Sequence, residues 1–295
     1  MRRTFAIIKR TAVAFYDDQM TQHAAALTYY GLMSLFPSAL LAISLLGLIG
    51  EYPATYDAII GYLRKVAPEA AVVPLDSSLR TALQHKGTAA TTLIISIVVA
   101  LYGTTGVFEA ARRAMNVIFD IQHGRRFLTR KAIDIASSIA LMVMVLATLV
   151  LIFVGGTFAD DLLGFIGIGG DGARIWSLVR WPLAVAVAML VFAGIYYVTP
   201  DVRHRSFRFV LPGAIVAVVL WLVASVAFSV YVSRVADVGA LYGAFAGAIV
   251  LVAWMWLSNV ALLFGAELNA EIGRQKELDA GIPHDETGEF APRRG

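Results

Sequence analysis

Six stretches of this chain are each long and apolar enough to cross a lipid bilayer, and this constrains its fold more than any single residue. They run from about Gly31 to Gly50, Ala89 to Phe108, Ile133 to Gly155, Pro182 to Val198, Phe209 to Val232 and Leu241 to Leu268. A helix needs roughly 20 residues to span ~30 Å of hydrocarbon, so each stretch meets or nearly meets the requirement. With 59% hydrophobic and 15% charged residues, the 295-residue chain departs from the composition of a soluble domain. Strands of a membrane barrel would alternate apolar and polar side chains, whereas these runs place Leu, Ala, Val and Ile on every face. The sequence therefore predicts an all-α polytopic membrane protein with six transmembrane helices. Its single membrane domain is expected over residues 1–270, followed by a disordered tail over 271–295.

Orientation follows from the positive charges, because Lys and Arg close to a span resist translocation. Seventeen basic residues fall on the side that carries both termini and seven on the other. Both termini are thus expected in the cytoplasm. The N-terminal residues carry charges through Lys9, Arg10, Asp17 and Asp18 and do not read as a removable signal peptide. Phe5, Ile8, Ala12 and Phe15 recur at helical spacing, which predicts a short helix on the inner membrane surface or a cytoplasmic extension of the first span. In the outer segment from Glu51 to Thr88, apolar positions at helical spacing interrupted by Pro68 and Pro74 predict two amphipathic helices.

Departures from hydrocarbon character mark the candidate functional positions. Pro37 interrupts the first span, where its missing N–H frees the carbonyl of Met33 and predicts a kink. Pro182 and Pro212 are read as first-turn prolines. Gly243 and Gly247 form a GxxxG pair that predicts close helix approach and permits a homo-oligomer. Trp181, Tyr196, Tyr197, Tyr231 and Tyr242 fall near span ends, as interfacial aromatics do.

A charge at membrane depth costs ~2.5–3.5 kcal/mol even on lenient insertion scales, so each needs a reason. Glu109 is followed by Arg112, Arg113 and Asn116 at helical spacing, and Asn259, Leu263 and Glu267 form a stripe that continues to Glu271. Glu109, Arg112, Arg113, Asn116, Asn259 and Glu267 are the candidate substrate-binding groups, lining an inward-facing vestibule. In that reading Glu109 and Glu267 hold the arginines at rest and an anionic substrate displaces them. The plainer alternative is a Glu109–Arg113 pair along one helix and a Glu267 held by interfacial water.

Catalysis finds no foothold in the sequence. Gly167, Gly169 and Gly172 satisfy GxGxxG, but between two spans and outside any βαβ unit they read as a flexible turn. The chain has no cysteine, and its five histidines show no metal-ligand spacing. No cofactor or metal is expected.

Several separated motifs carry a family resemblance. The run from Ala24 to Pro37, the segment from Glu109 to Asn116, Pro212-Gly213-Ala214 followed by Trp221, and Gly265-Ala266-Glu267-Leu268-Asn269-Ala270 together resemble the YihY/BrkB family of bacterial inner-membrane proteins. The likeness covers roughly residues 5 to 275. It implies six spans with cytoplasmic termini, an association with virulence, and an old ribonuclease label. RNA cleavage needs a positioned acid and base or a metal-bound water, which the residues do not supply. The basic cluster at Arg125, Arg126, Arg130 and Lys131 suits anionic lipid better than nucleic acid. The function expected is transport of an anionic lipid or solute, of flippase type, with membrane lipids as partners and no enzyme activity. The alternative is a scaffold that binds partners without transporting.

Overall fold

The computed structural model describes residues 2–49, 56–57, 60–61, 76, 80, 86–121, 126–153, 172–201, 207–234 and 245–279. Seven long helices account for nearly all of these residues: α1 (Arg2–Asp17), α2 (Met20–Ile49), α3 (Lys86–Ile118), α4 (Phe127–Phe153), α5 (Gly172–Val198), α6 (Leu211–Arg234) and α7 (Phe245–Asp279). A 3-10 turn, Phe207–Phe209, precedes α6, and no strand occurs among the described residues. The class expected from the continuous apolar runs is the one found.

Among the described residues, three stretches are long and apolar enough to cross a membrane: Trp181–Val198, Leu211–Val232 and Gly247–Asp279. The 22-residue stretch in α6 has a mean hydropathy of 2.5, yet only 11% of it is buried. Val219, Val223 and Val226 are all at least half exposed. An apolar helix that turns its valines outward has lipid as its solvent, since water would drive those surfaces together.

The helix ends follow local chemistry. Between α1 and α2 the chain breaks at Gln19, which takes φ 54°, so α1 is a separate helix and not an extension of the first span. Its Phe5 and Tyr16 are 71% and 82% exposed, while Thr11 is fully buried. Phe15 packs on Phe264 of α7, with ring centroids 5.8 Å apart. At the end of α3, Ile121 N–H donates to Asn116 O at 2.8 Å and Asp120 N–H to Val117 O at 3.0 Å. This is the double closure of a Schellman motif, with Asp120 at φ 50° in the place glycine usually takes. The turn aims the Asp120 carboxylate back at the bundle, which matters below.

Several boundaries differ from those expected. Helix α5 begins at Gly172, so Pro182 lies well inside it and not in its first turn. The carbonyl its ring leaves unbonded belongs to Leu178, whose side chain is also exposed. Pro212 does sit in the first turn of α6. Helix α7 runs on to Asp279, so the chain after Glu271 is helical and hydrogen-bonded where disorder was expected. Residues 280–295, most of the segment from 51 to 88, and the loop bearing Gly167 and Gly169 lie outside the described residues. Tyr196 is no interfacial aromatic: it is buried and donates its hydroxyl to Leu262 O.

The chain divides into two compact units. The first comprises residues 1–24, 111–223 and 260–295, the second 25–110 and 224–259. In the second, glycines set the spacing of α2 and α3. A Cβ at Gly106 would lie 3.0 Å from the Tyr30 ring, and one at Gly103 would lie 3.2 Å from Ser34 Cα and 3.8 Å from Met33 O. That carbonyl is the one Pro37 frees, so α3 approaches closely just where the α2 ladder lacks a donor. Helix α2 is continuous through Pro37. Asn259 donates to Thr28 Oγ1 at 3.0 Å and Trp254 Nε1 to Ser225 Oγ at 3.2 Å. Gly247 contributes no close approach, for a Cβ there would meet nothing within 4 Å, and Gly243 lies outside the described residues.

In the first unit the close approach is between α6 and α7. A Cβ on Gly265 would lie 2.5 Å from Gly213 O, 2.6 Å from Tyr196 Oη and 2.7 Å from Ala217 Cβ. Ala214, Ala217, Ala266 and Ala270 are almost fully buried beside it, forming a small-residue seam of the kind that lets membrane helices touch backbone to backbone. Asn269 closes the seam. Its Oδ1 accepts from Gly213 N–H at 2.8 Å and its Nδ2 donates to Val210 O at 3.0 Å. The first N–H groups of α6 lack intrahelical partners, and this side chain from α7 satisfies one of them.

Candidate functional site

The C-terminal half of α7 gathers the charged groups of the first unit. Leu263, Glu267 and Glu271, the stripe read from the sequence, are all buried, with Glu267 at 0% exposure. Four residues per step on a helix bring these side chains to one face, and that face looks into the unit.

Around Glu271 the charges are fully paired. Arg10 of α1 donates from Nε to Glu271 Oε2 at 3.0 Å and to Gln275 Oε1 at 2.7 Å. Arg274 donates to Glu271 Oε1 at 2.7 Å, to Asp120 Oδ2 at 2.7 Å and to the Ile118 carbonyl at 3.2 Å. Both arginines are thereby committed, and the α3 Schellman turn is tied to α7 by the residue that closes it. Beside them α1 forms one wall of an open groove of about 470 Å³, lined by Ala6, Lys9, Arg10, Val13, Ala14, Asp17 and Glu271.

Glu267 is in a different position. Both of its carboxylate oxygens are buried and accept no hydrogen bond from a donor among the described residues. Another carboxyl, that of Asp18 at the break between α1 and α2, stands within hydrogen-bonding range of it. Burial pushes the Asp18 carboxyl above its ordinary range, the contact with Glu267 opposes this, and the charge of Asp120 adds to the rise. His23, one turn into α2, is held below its usual value by burial, with the Asp18 charge working the other way.

The candidates from the second span separate. Arg112 is buried and pairs with Asp134 of α4, both side chains being about 5% exposed. The partner of Arg112 is thus an aspartate on a neighbouring helix, not Glu109 or Glu267 as expected. Ser138 donates to the Asp134 carbonyl at 2.8 Å. Arg113 is exposed. Asn116 bonds reciprocally with Asp201 beyond α5: its Nδ2 donates to Oδ2 and its Oδ1 accepts from the Asp201 N–H, each at 3.1 Å. Arg112, Arg113, Asn116 and Glu267 belong to the first unit, Glu109 and Asn259 to the second. Among the described residues no three His, Asp or Glu side chains converge as metal ligands.

Sequence reasoning passed over Asp18, Asp120, Asp134, Asp201, Asn269 and Arg274. Asp134 carried a usable signal, being an acid at the start of a predicted span, where the cost of burial demands a partner. Asn269 stands two residues after Glu267 in the closing motif. The others lie in turns or in the segment taken for a tail, where a charge reads as solvated until its neighbours are known.

Apolar helices that face lipid, with no strand among the described residues and with buried ion pairs inside the first unit, define an integral membrane protein. The chain matches the family described as Virulence factor BrkB over residues 11–288, and it belongs to that family. It is 31% identical over 264 residues to the putative ribonuclease-like protein YfkH of Bacillus subtilis, covering 88% of this chain and 93% of that one. It is 27% identical over 270 residues to a UPF0761 membrane protein of Pseudoalteromonas translucida, covering 89% and 84%. A longer UPF0761 membrane protein of Xanthomonas oryzae is 28% identical over 262 residues, which make up 86% of this chain and 57% of that protein. No solved structure matches.

Proposed function

We propose that this protein is a transporter of the bacterial inner membrane, with a single membrane domain of six spans and both termini cytoplasmic, that moves an anionic lipid or solute. The observation that carries the reading is Glu267: a fully buried acid in an apolar membrane helix, with no hydrogen-bond donor for either oxygen among the described residues. A structural ion pair would satisfy both partners, as Arg112 and Asp134 do. An acid left without a donor at such depth is costly, and a changing ligand explains why it is retained.

The substrate's charge is inferred from the groove beside α1, because Arg112 is engaged by Asp134. There the exposed Lys9 stands beside the apolar Ala6, Val13 and Ala14, a match for a negatively charged head group above an acyl chain, while Arg10 on the same wall is held by Glu271 and Gln275. With Phe5, Ile8 and Tyr16 turned outward, α1 suits a place in the cytoplasmic interface, where basic residues meet anionic lipid.

The test is movement of a fluorescent anionic phospholipid between leaflets of liposomes that contain the purified protein. The native chain should exceed protein-free liposomes several-fold, with Glu267→Gln and Lys9→Glu each reducing the rate. A native rate equal to the protein-free rate, for this lipid and for anionic solutes, refutes transport and leaves the scaffold reading.

A further inference from the structure

The acidic groups of the first unit outnumber the cations that serve them. Asp18, Asp120, Glu267 and Glu271 face one another across α1, α3 and α7 with Arg10 and Arg274 as their cations. Geometry divides these cations unequally. Arg10 donates to Glu271 and Gln275, and Arg274 donates to Glu271, Asp120 and a main-chain carbonyl. Neither guanidinium donates to Glu267, although the charge of Arg274 acts on both Glu267 and Asp18. Asp17 adds a further negative charge beside Asp18, and His23 is disfavoured as a cation by its own burial.

Two carboxyl groups in contact repel one another when both ionise, and the cation whose charge reaches both, Arg274, bonds to Glu271 and Asp120 and not to Glu267. Each carboxylate is an acceptor only, so a hydrogen bond between Asp18 and Glu267 requires a proton on one of them. That requirement also resolves the orphaned oxygens of Glu267, since a proton between the two acids supplies the donor that no neighbouring residue provides. The two members differ in access. Glu267 is fully buried, while Asp18 is partly exposed at a helix break whose next residue has left-handed backbone. A proton held by the pair therefore has a route to solvent through Asp18.

We propose that Asp18 and Glu267 form a two-carboxyl site that binds one proton and exchanges it with the cytoplasm, making the proton the coupling ion of this protein. This deepens the transport reading and rests on it for the coupling alone, because the proton site stands or falls by its own measurement. Asp18 gives up or takes the proton from water and passes it to or from Glu267. No covalent bond other than O–H is made or broken, and the pair cycles between one net negative charge and two. Losing the proton places two negative charges in contact beside Arg274, the nearest guanidinium able to swing toward them. The engagement of Arg274 with Asp120 and Glu271, and with them the ties between α1, α3 and α7, would change as it does so.

The test is infrared titration of the full-length protein in detergent, reading the carbonyl stretch that protonated carboxyls show and carboxylates lack. A band persisting at neutral pH, where ordinary Asp and Glu with values of ~3.9 and ~4.3 are ionised, is expected for the native chain. Glu267→Gln should abolish it. Asp18→Asn, which gives Glu267 an amide donor, should lower its titration midpoint by at least one pH unit. Absence of the band in the native protein at neutral pH, or its persistence unchanged in both variants, overturns the proton site. In sealed liposomes a pH gradient should change the native flux several-fold and leave Glu267→Gln indifferent, and a native flux blind to the gradient overturns the coupling. A protein that transports nothing yet shows the band refutes transport while leaving the proton site in place.

Discussion

Removing one half of the Arg112–Asp134 pair should cost far more than removing both, and the two halves should fail differently. Their side chains are 4% and 5% exposed, so either charge left alone would be buried without a counter-ion. Breaking such a pair typically costs about 3–5 kcal/mol, whereas replacing both members by apolar residues of similar volume is often neutral. In Arg112→Met the stranded aspartate has an escape, because it can take up a proton. For a carboxyl of ordinary acidity at pH 7 that costs about 4 kcal/mol, which sets a ceiling, and the ceiling drops by about 1.4 kcal/mol for each pH unit of acidification. In Asp134→Leu the stranded guanidinium has no such escape, since arginine does not deprotonate in proteins. Asp134→Leu should therefore be at least as destabilising as Arg112→Met at pH 7 and clearly worse at pH 5, where Arg112→Met regains about 2–3 kcal/mol. The double variant should fall within about 1 kcal/mol of the native chain. Unfolding in mixed micelles of rising SDS content, followed by helical circular dichroism, measures all four proteins. Single costs that simply add in the double variant, or an Arg112→Met cost that does not respond to pH, would refute the argument.

Three further outcomes follow from the packing and the titrating groups. Gly265→Ala places a methyl 2.5 Å from Gly213 O and 2.7 Å from Ala217 Cβ, so α6 and α7 must part, at about 1–3 kcal/mol in the same unfolding assay. Gly247→Ala, where nothing lies within 4 Å, should leave the stability of the monomer unchanged. For His23, burial lowers the folded value, so the unfolded chain binds the proton more readily. Stability should be full above the unfolded value near ~6.5 and fall as pH drops toward the folded value; His23→Gln should flatten that limb, and an unaltered acid limb would exclude His23 as its source.

How much was legible in the sequence depended on whether a feature was local or relational. The helix class and the one-face stripe of Asn259, Leu263, Glu267 and Glu271 are set by residues a few positions apart and could be read from the chain, whereas the burial of its last three members could not. The partner of Arg112 could not, because Asp134 lies 22 residues away on another helix and Glu109 offered a nearer opposite charge at helical spacing. Small residues depended on placement in the same way: the close contact between α6 and α7 is built from Gly213 and Gly265, which sit 52 residues apart and share no motif. The segment after Glu271 looked like a tail since its charges lacked neighbours in sequence, although Arg10 and Asp120 stand ready to meet them.

The sequence by itself determined that this chain lives in a membrane as helices, because the free energy of placing apolar side chains in hydrocarbon sums over composition and needs no knowledge of neighbours. Only the tertiary structure decided which charges neutralise one another and which are left over. Coulombic and hydrogen-bond energies fall steeply with distance and depend on direction, so the same acids could have been paired or orphaned by a turn of one helix. Two arginines spent on Glu271 and Asp120, and none on Glu267, is a fact of placement that no reading of residue order contains.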